Sequence, residues 1–260
     1  MKRVAKITYI VLVILFLYLP IIALVVLSFN ESKSMSVFTG FSLKWYEEMF
    51  SNRMIIKAIG NTFTIAITAS ITATIIGTLA AVGLGGMKAK QQNLLLGFNN
   101  VPLLNADIVT GISLLLTFLF FGISLNWGTV YLAHVTFCIP YVILSVRPRI
   151  NKSSTLLYEA ALDLGASKKY AFYKIVLPEL RPGIVSGFLL AFTMSVDDFV
   201  ITHFTRGAGI NTISTLIYSQ VKVGIRPSLF ALSTIIFIMV LLVLIGVNIL
   251  TDNKRKKLIY

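Results

Sequence analysis

Cysteine, histidine and acid are scarce in this chain, and each shortage closes off a line of chemistry. Among 260 residues there are one cysteine, two histidines and ten acids, against 23 lysines and arginines. Cys138 alone rules out an internal disulfide and leaves the redox compartment undetermined. His134 and His203 have no set of cysteines or acids at metal-ligand spacing, so no zinc site is expected and both are read as packing or polar contacts. A G-x-x-x-x-G-K-[ST] phosphate loop is absent from the sequence, so the chain does not hydrolyse ATP by that route. The net charge of +13 would suit nucleic acid if the basic residues were interleaved with aromatics on one face. They are instead grouped between apolar runs, which removes that reading.

Apolar runs are what the chain has in abundance: 57% of it is hydrophobic and 13% charged. A bilayer core of roughly 30 Å takes about twenty helical residues to cross. Runs of that size fall at about residues 7–29, 59–84, 94–122, 127–146, 183–204 and 229–250. An all-α integral membrane protein with six transmembrane helices is therefore expected. It is read as one domain over 1–260: a first span and outer loop (1–58), a core bundle (59–251) interrupted by a polar loop (147–183), and a basic tail (252–260). The first run is much longer than the ~7–15 apolar residues of a secretory signal and no small-x-small cleavage site follows, so it is expected to be retained.

The second run is rich in Thr, Ala, Ser and Gly, which let helices approach closely in lipid and mark it as interior. The third is longer than one span needs and carries Asn99, Asn100, Pro102, Asn105 and Asp107, so a kinked or divided helix is expected with Asp107 near a helix start. Gly183 and Gly187 form a small-xxx-small pair suited to a helix contact. With the N-terminus inside, the inner segments hold sixteen Lys and Arg and the outer segments seven. That asymmetry places both termini and the 147–183 loop in the cytoplasm, and anionic headgroups can meet the basic loop and tail.

The 147–183 loop is patterned. Leu156, Leu157, Ala160, Ala161 and Leu164 recur at helical spacing with Glu159 and Asp163 on another side, and Gly165 ends that helix. Ser167 is an N-cap for a second short helix with Phe172, Ile175 and Val176 on one face, which Pro178 is expected to stop. Helices of about ten residues are marginal in water, so the pair must rest on something. A plain amphipathic loop on the bilayer surface is the alternative.

Three acids fall at membrane depth: Asp107, Asp197 and Asp198. A carboxylate at the middle of a span costs ~2.5–3.5 kcal/mol on insertion scales, so such groups demand a partner or an aqueous cavity. Their sign favours a cation; the other reading is structural pairing with basic or hydroxyl groups of a partner subunit. Trp45, in the polar stretch after the first span, suits either the headgroup zone or a cation–π contact worth roughly 0.5–2 kcal/mol.

Glu159-Ala160-Ala161, three residues, Gly165, nine residues, Ile175, then Leu177-Pro178 resembles the cytoplasmic coupling loop of importer-type ABC permeases. Ser195-Val196-Asp197-Asp198-Phe199, together with Lys44-Trp45-Tyr46, Asp107-Ile108-Val109, Ile217-Tyr218-Ser219 and Val221-Lys222-Val223-Gly224, narrows the resemblance to the second permease subunit of spermidine/putrescine importers, over essentially the whole chain. The resemblance implies substrate-pathway roles for Trp45, Asp107, Ser195, Asp197 and Asp198. It implies ATPase coupling through Glu159, Ala160, Ala161, Gly165, Ile175, Leu177 and Pro178. Two departures stand out: Ala106 where the family pattern has proline before the acid, and Lys168 where an acid can occur. The implied partners are a second permease, two ATPase subunits that carry the ATP and magnesium, and an extracytoplasmic polyamine-binding protein, with no cofactor on this chain. The implied place is the cytoplasmic or inner membrane. Ferric iron or a small anion is the alternative substrate within the same class, since the coupling loop does not encode substrate. A membrane-embedded enzyme and a pure assembly subunit are the readings outside it.

Overall fold

The structure is a computed structural model that describes residues 2–33, 37–150, 152–224 and 226–256. The last residues of the expected basic tail, 257–260, lie outside the described residues. The helices are α1 Lys2–Ser28, α2 Lys44–Ser51, α3 Arg53–Gly85, α4 Ala89–Leu104, α5 Asp107–Phe120, α6 Trp127–Val146, α7 Lys152–Asp163, α8 Lys168–Ala171, α9 Leu177–Asp197, α10 Val200–Thr205, α11 Ile213–Val223 and α12 Pro227–Lys256. A 3₁₀ turn, Arg147–Arg149, follows α6, and a π-helical turn, Phe172–Val176, joins α8 to α9.

The segments Lys6–Ser28, Arg53–Gly85, Trp127–Arg149 and Lys168–Asp197 are long and apolar enough to cross a membrane, and α4 with α5 makes a further span bent by 107°. With α12, apolar over Pro227–Leu242, these correspond in order to the six runs read from the sequence. The third run divides at Asn105-Ala106, with Asp107 opening α5 as expected.

Contacts group the chain into two compact units, one of residues 1–56 with 217–260 and one of residues 57–216. In the first, α12 packs on α1 and on α2. Its polar loop is held by the buried Asn30, whose Nδ2 donates to Val37 O at 2.8 Å and whose Oδ1 accepts from Thr39 N at 3.0 Å. Tyr46 and Ser28 share a hydroxyl contact of 2.7 Å.

The second unit is built on small residues, as lipid-embedded packing requires. Along α3 the buried positions Ala58, Thr62, Ala66, Ala69, Ala73, Ala81 and Leu84 recur at helical spacing on one face. Gly77 on that face lies so close to α6 that an added Cβ would sit 2.7 Å from Val142 Cβ. α9 meets α6 in the same way: a Cβ on Gly183 would be 3.0 Å from Ser145 O and one on Gly187 3.3 Å from Val142 Cα, so the small-xxx-small pair is a helix contact. α5 packs on α10 through Gly111, where a Cβ would lie 3.0 Å from Phe204 Cδ2. Cys138 is buried between α6 and α9 and donates to Ala191 O at 3.4 Å.

Two expectations are corrected. Pro178 does not stop the second short helix of the 147–183 loop; helix runs on from Lys168 to Asp197. Proline lacks an N–H and clashes with the carbonyl four residues back, and the π turn immediately before it opens the backbone ladder where that conflict would fall. The fifth span also ends earlier than residue 204: α9 stops at Asp197, Asp198 is extended (φ −63°, ψ 125°), and α10 begins at Val200. The acid pair therefore lies at a break between two helices, where the sequence suggested mid-helix.

Candidate functional site

The break after α9 gathers a buried polar group inside an otherwise apolar unit. Asp198 caps the short helix that follows: Oδ1 accepts from Ile201 N at 3.1 Å, and Oδ2 accepts from Thr202 N at 2.8 Å and Thr202 Oγ1 at 2.9 Å. A helix start leaves its first N–H groups without internal partners, and a carboxylate is well suited to receive them. From α6, His134 reaches both sides of the break, with Nδ1 2.6 Å from Ser195 Oγ, Nε2 2.9 Å from Thr202 Oγ1, and Nε2 3.5 Å from Asp198 Oδ2. The side chains of His134 and Asp198 are 1% and 5% exposed.

Asp197 has the opposite surroundings. Its side chain is exposed, and among the described residues it has no hydrogen-bond or ion-pair partner. It stands on the last turn of α9, where the carbonyls of a helix end carry partial negative charge, so carboxylate and helix end add in the same sense. Asp107 is likewise exposed, on the first turn of α5 after Ala106, which offers no side-chain cap. Two of the spans are thus discontinuous and each presents an acid at its discontinuity. In membrane proteins, broken helices of this kind bring ion-binding groups to membrane depth.

Trp45 lies in the first unit. It is 1% exposed, its Nε1–H donates to Asn30 O at 2.5 Å, and Lys44 Nζ stands 5.4 Å from its ring centroid. Here its ring is a core element of the polar loop.

In the 147–183 loop the helix end and cap read from the sequence are in place. Gly165 has φ +87°, and α7 closes with Gly165 N donating to Leu162 O and Ala166 N to Ala161 O, both at 2.9 Å. Ser167 Oγ accepts from Tyr170 N at 3.3 Å as the cap of α8. Glu159 and Ala160 are exposed, while Ala161, Ile175, Leu177 and Pro178 are half-buried. Around them Leu156, Leu157, Leu164, Tyr170 and Tyr173 are all exposed, Leu164 at 89%.

Sequence reasoning did not place His134 or Thr202 at the site. The signal was a polar ring within an apolar span, since an intramembrane ionisable residue faces a partner or a cavity. Its partners lie 61 and 68 residues away in sequence, beyond the reach of any local pattern.

A helical bundle with spans broken at acids and a paired-helix loop between spans defines a multi-pass membrane transport component. The chain belongs to the family of binding-protein-dependent transport system inner membrane components, whose model matches residues 73–258. It is similar to the putrescine transport system permease protein PotI of Escherichia coli (strain K12), 40% identical over 228 residues, 85% of this chain and 81% of that protein. It is also similar to the spermidine/putrescine transport system permease protein PotC of Haemophilus influenzae, 39% identical over 92% of this chain and 93% of that one. A crystal structure of a bacterial ABC transporter involved in the import of the acidic polysaccharide alginate shares the fold, with TM-score 0.74 over 96% of each chain at 15% identity. The chain is therefore a multi-pass subunit of an inner-membrane transport system that works with a binding protein, and it is not an enzyme.

Proposed function

We propose that this chain is a permease subunit of an ATP-driven importer of polyamines, spermidine or putrescine, forming the path together with a second permease. The observation that carries the reading is Asp197, an exposed carboxylate without a partner among the described residues, on the last turn of a broken span. The names of the relatives, putrescine and spermidine/putrescine permeases, point to the same cargo. A polyamine is a chain of ammonium groups spaced by methylenes, so its path needs separated negative groups with apolar surface between them. Asp197 and Asp107 serve as such groups, one on each discontinuous span. Ser195 and Asp198 support the path from behind, and Trp45 holds the outer loop in shape to receive the cargo.

The partners are two ATPase subunits, which bind ATP and magnesium, and an extracytoplasmic polyamine-binding protein. The exposed leucines and tyrosines around Glu159 are the face that seats in the ATPase, a helix-in-groove contact. Closing of the ATPases moves Glu159, Ala160, Ala161, Gly165, Ile175, Leu177 and Pro178 together and biases the bundle between inward-open and outward-open arrangements. The termini and the 147–183 loop face the cytoplasm, in keeping with the excess of Lys and Arg there.

The test is uptake of radiolabelled spermidine and putrescine by cells expressing the complete transporter, with wild-type subunit or Asp197→Asn, and assembly checked by pull-down. Uptake by the wild type and its loss in an assembled, ATP-hydrolysing variant is the expected result. Unchanged uptake by the variant would remove Asp197 from the path, and no polyamine uptake by the wild type would remove the substrate.

A further inference from the structure

We propose that His134 is a positioning residue of the permease: it clamps the break in the fifth span so that Asp198 stays on the α10 backbone and Asp197 alone is presented to the cation. The inference rests on the reading above in taking Asp197 as the group the cargo meets.

The hydrogens around the ring can be placed by counting. Thr202 Oγ1 has one hydrogen and donates it to Asp198 Oδ2 at 2.9 Å. It must therefore accept from His134 across their 2.9 Å contact, which puts a proton on Nε2. In a neutral ring Nδ1 is then an acceptor, and Ser195 Oγ donates to it at 2.6 Å. The resulting chain is directed, from Ser195 on the last turn of α9, through His134 on α6, to Thr202 on the first turn of α10, and ends on Asp198.

Two consequences follow from this direction. Asp198 receives Ile201 N–H, Thr202 N–H and Thr202 O–H, with the imidazole Nε2 3.5 Å from Oδ2, so three of its roughly four acceptor sites are taken within the chain. The carboxylate next to it in sequence is exposed and has no partner among the described residues, which separates the roles of two identical groups. His134 also bonds to both helices flanking the break, to Ser195 on α9 and to Thr202 on α10. Removing the ring would leave Ser195 Oγ without its acceptor and Thr202 Oγ1 without its donor in a low-dielectric interior, where such groups rearrange to find others. The backbone at Asp197-Asp198 is where that rearrangement would fall.

The experiment uses the complete transporter in membranes, with Asp197→Cys introduced in a Cys138→Ser background. The rate at which a cationic methanethiosulfonate reagent labels position 197 is measured with His134, His134→Ala, His134→Gln and His134→Asn, and Ser113→Cys on α5 serves as the control site. In a second arm, polyamine uptake per assembled complex is measured for His134→Ala alone and combined with Asp197→Asn. We expect His134→Ala to change labelling at 197 at least fivefold without changing it at 113. His134→Gln, which keeps a donor near the Nε2 position, should return toward wild type while His134→Asn does not. Uptake should fall at least tenfold in His134→Ala and less than twofold further when Asp197 is already Asn, because a residue acting through Asp197 has little to act on without it. An unchanged labelling rate, equal rates for Gln and Asn, or equal losses in both backgrounds would overturn the proposal. If His134→Ala fails to assemble, the Gln and Asn comparison decides. If the wild type takes up no polyamine, the labelling arm still decides the positioning role while the substrate reading falls.

Discussion

Asp197 and Asp198 are adjacent residues of identical chemistry, and their surroundings predict opposite phenotypes. Asp197→Asn should cut uptake at least tenfold, to a low but measurable level, and leave thermal stability in detergent unchanged, since the carboxylate holds nothing in place among the described residues. Asp198→Asn should lower stability, because an amide NH₂ then faces a backbone or hydroxyl donor that had an acceptor. A buried donor left unpaired costs about 1–3 kcal/mol, and thermal unfolding of the purified subunit followed by fluorescence would read it. At Gly207 an added Cβ would collide with the carbonyl oxygen of Leu125, so Gly207→Ala should sharply reduce the yield of assembled complex in a pull-down. At this scale Gly165 and Ser167 were legible because each acts through its own backbone neighbourhood. The division of labour between the two aspartates was not, because it depends on a ring contributed by another helix.

Among the elements, those bounded by local chemistry were readable and those set by tertiary contact were not. α6 was found at its full length, with Asn126 accepting from Gly128 N and Thr129 N at its start. The end of α9 had no glycine or proline to announce it; Val196-Asp197-Asp198-Phe199 breaks because Asp198 turns to the next helix and its hydroxyl and imidazole neighbours hold it there. Pro178 misled for the reverse reason, since a π turn lets a helix continue past a residue that should end it. The close of α7 gives a direct test. Gly165→Ala forces a side chain into a left-handed conformation that costs roughly 1–2 kcal/mol, so the turn between α7 and α8 should loosen. Polyamine transported per ATP hydrolysed, measured in proteoliposomes, should fall, while ATP hydrolysis persists.

For the molecule as a whole, the distribution of Lys and Arg predicts which side each loop faces. Lys169→Cys should react with an impermeant thiol reagent only in inside-out vesicles and Lys44→Cys only in intact or right-side-out ones, and the opposite pattern would invert the assigned topology. The helix from Lys168 to Asp197 then acquires a mechanical meaning. Thirty residues of continuous helix form a shaft about 45 Å long with the proposed docking segment at one end and the free carboxylate at the other. A shaft transmits torsion, so its two ends have a fixed angular phase, and the π turn at Phe172–Val176 sets that phase by holding one more residue than an α turn would. Deleting one residue within that turn would re-index the shaft by about 100°, with every side chain retained on each side of the cut. ATP turnover would continue while the carboxylate faced a different wall of the bundle, and stroke and cargo would fall out of step.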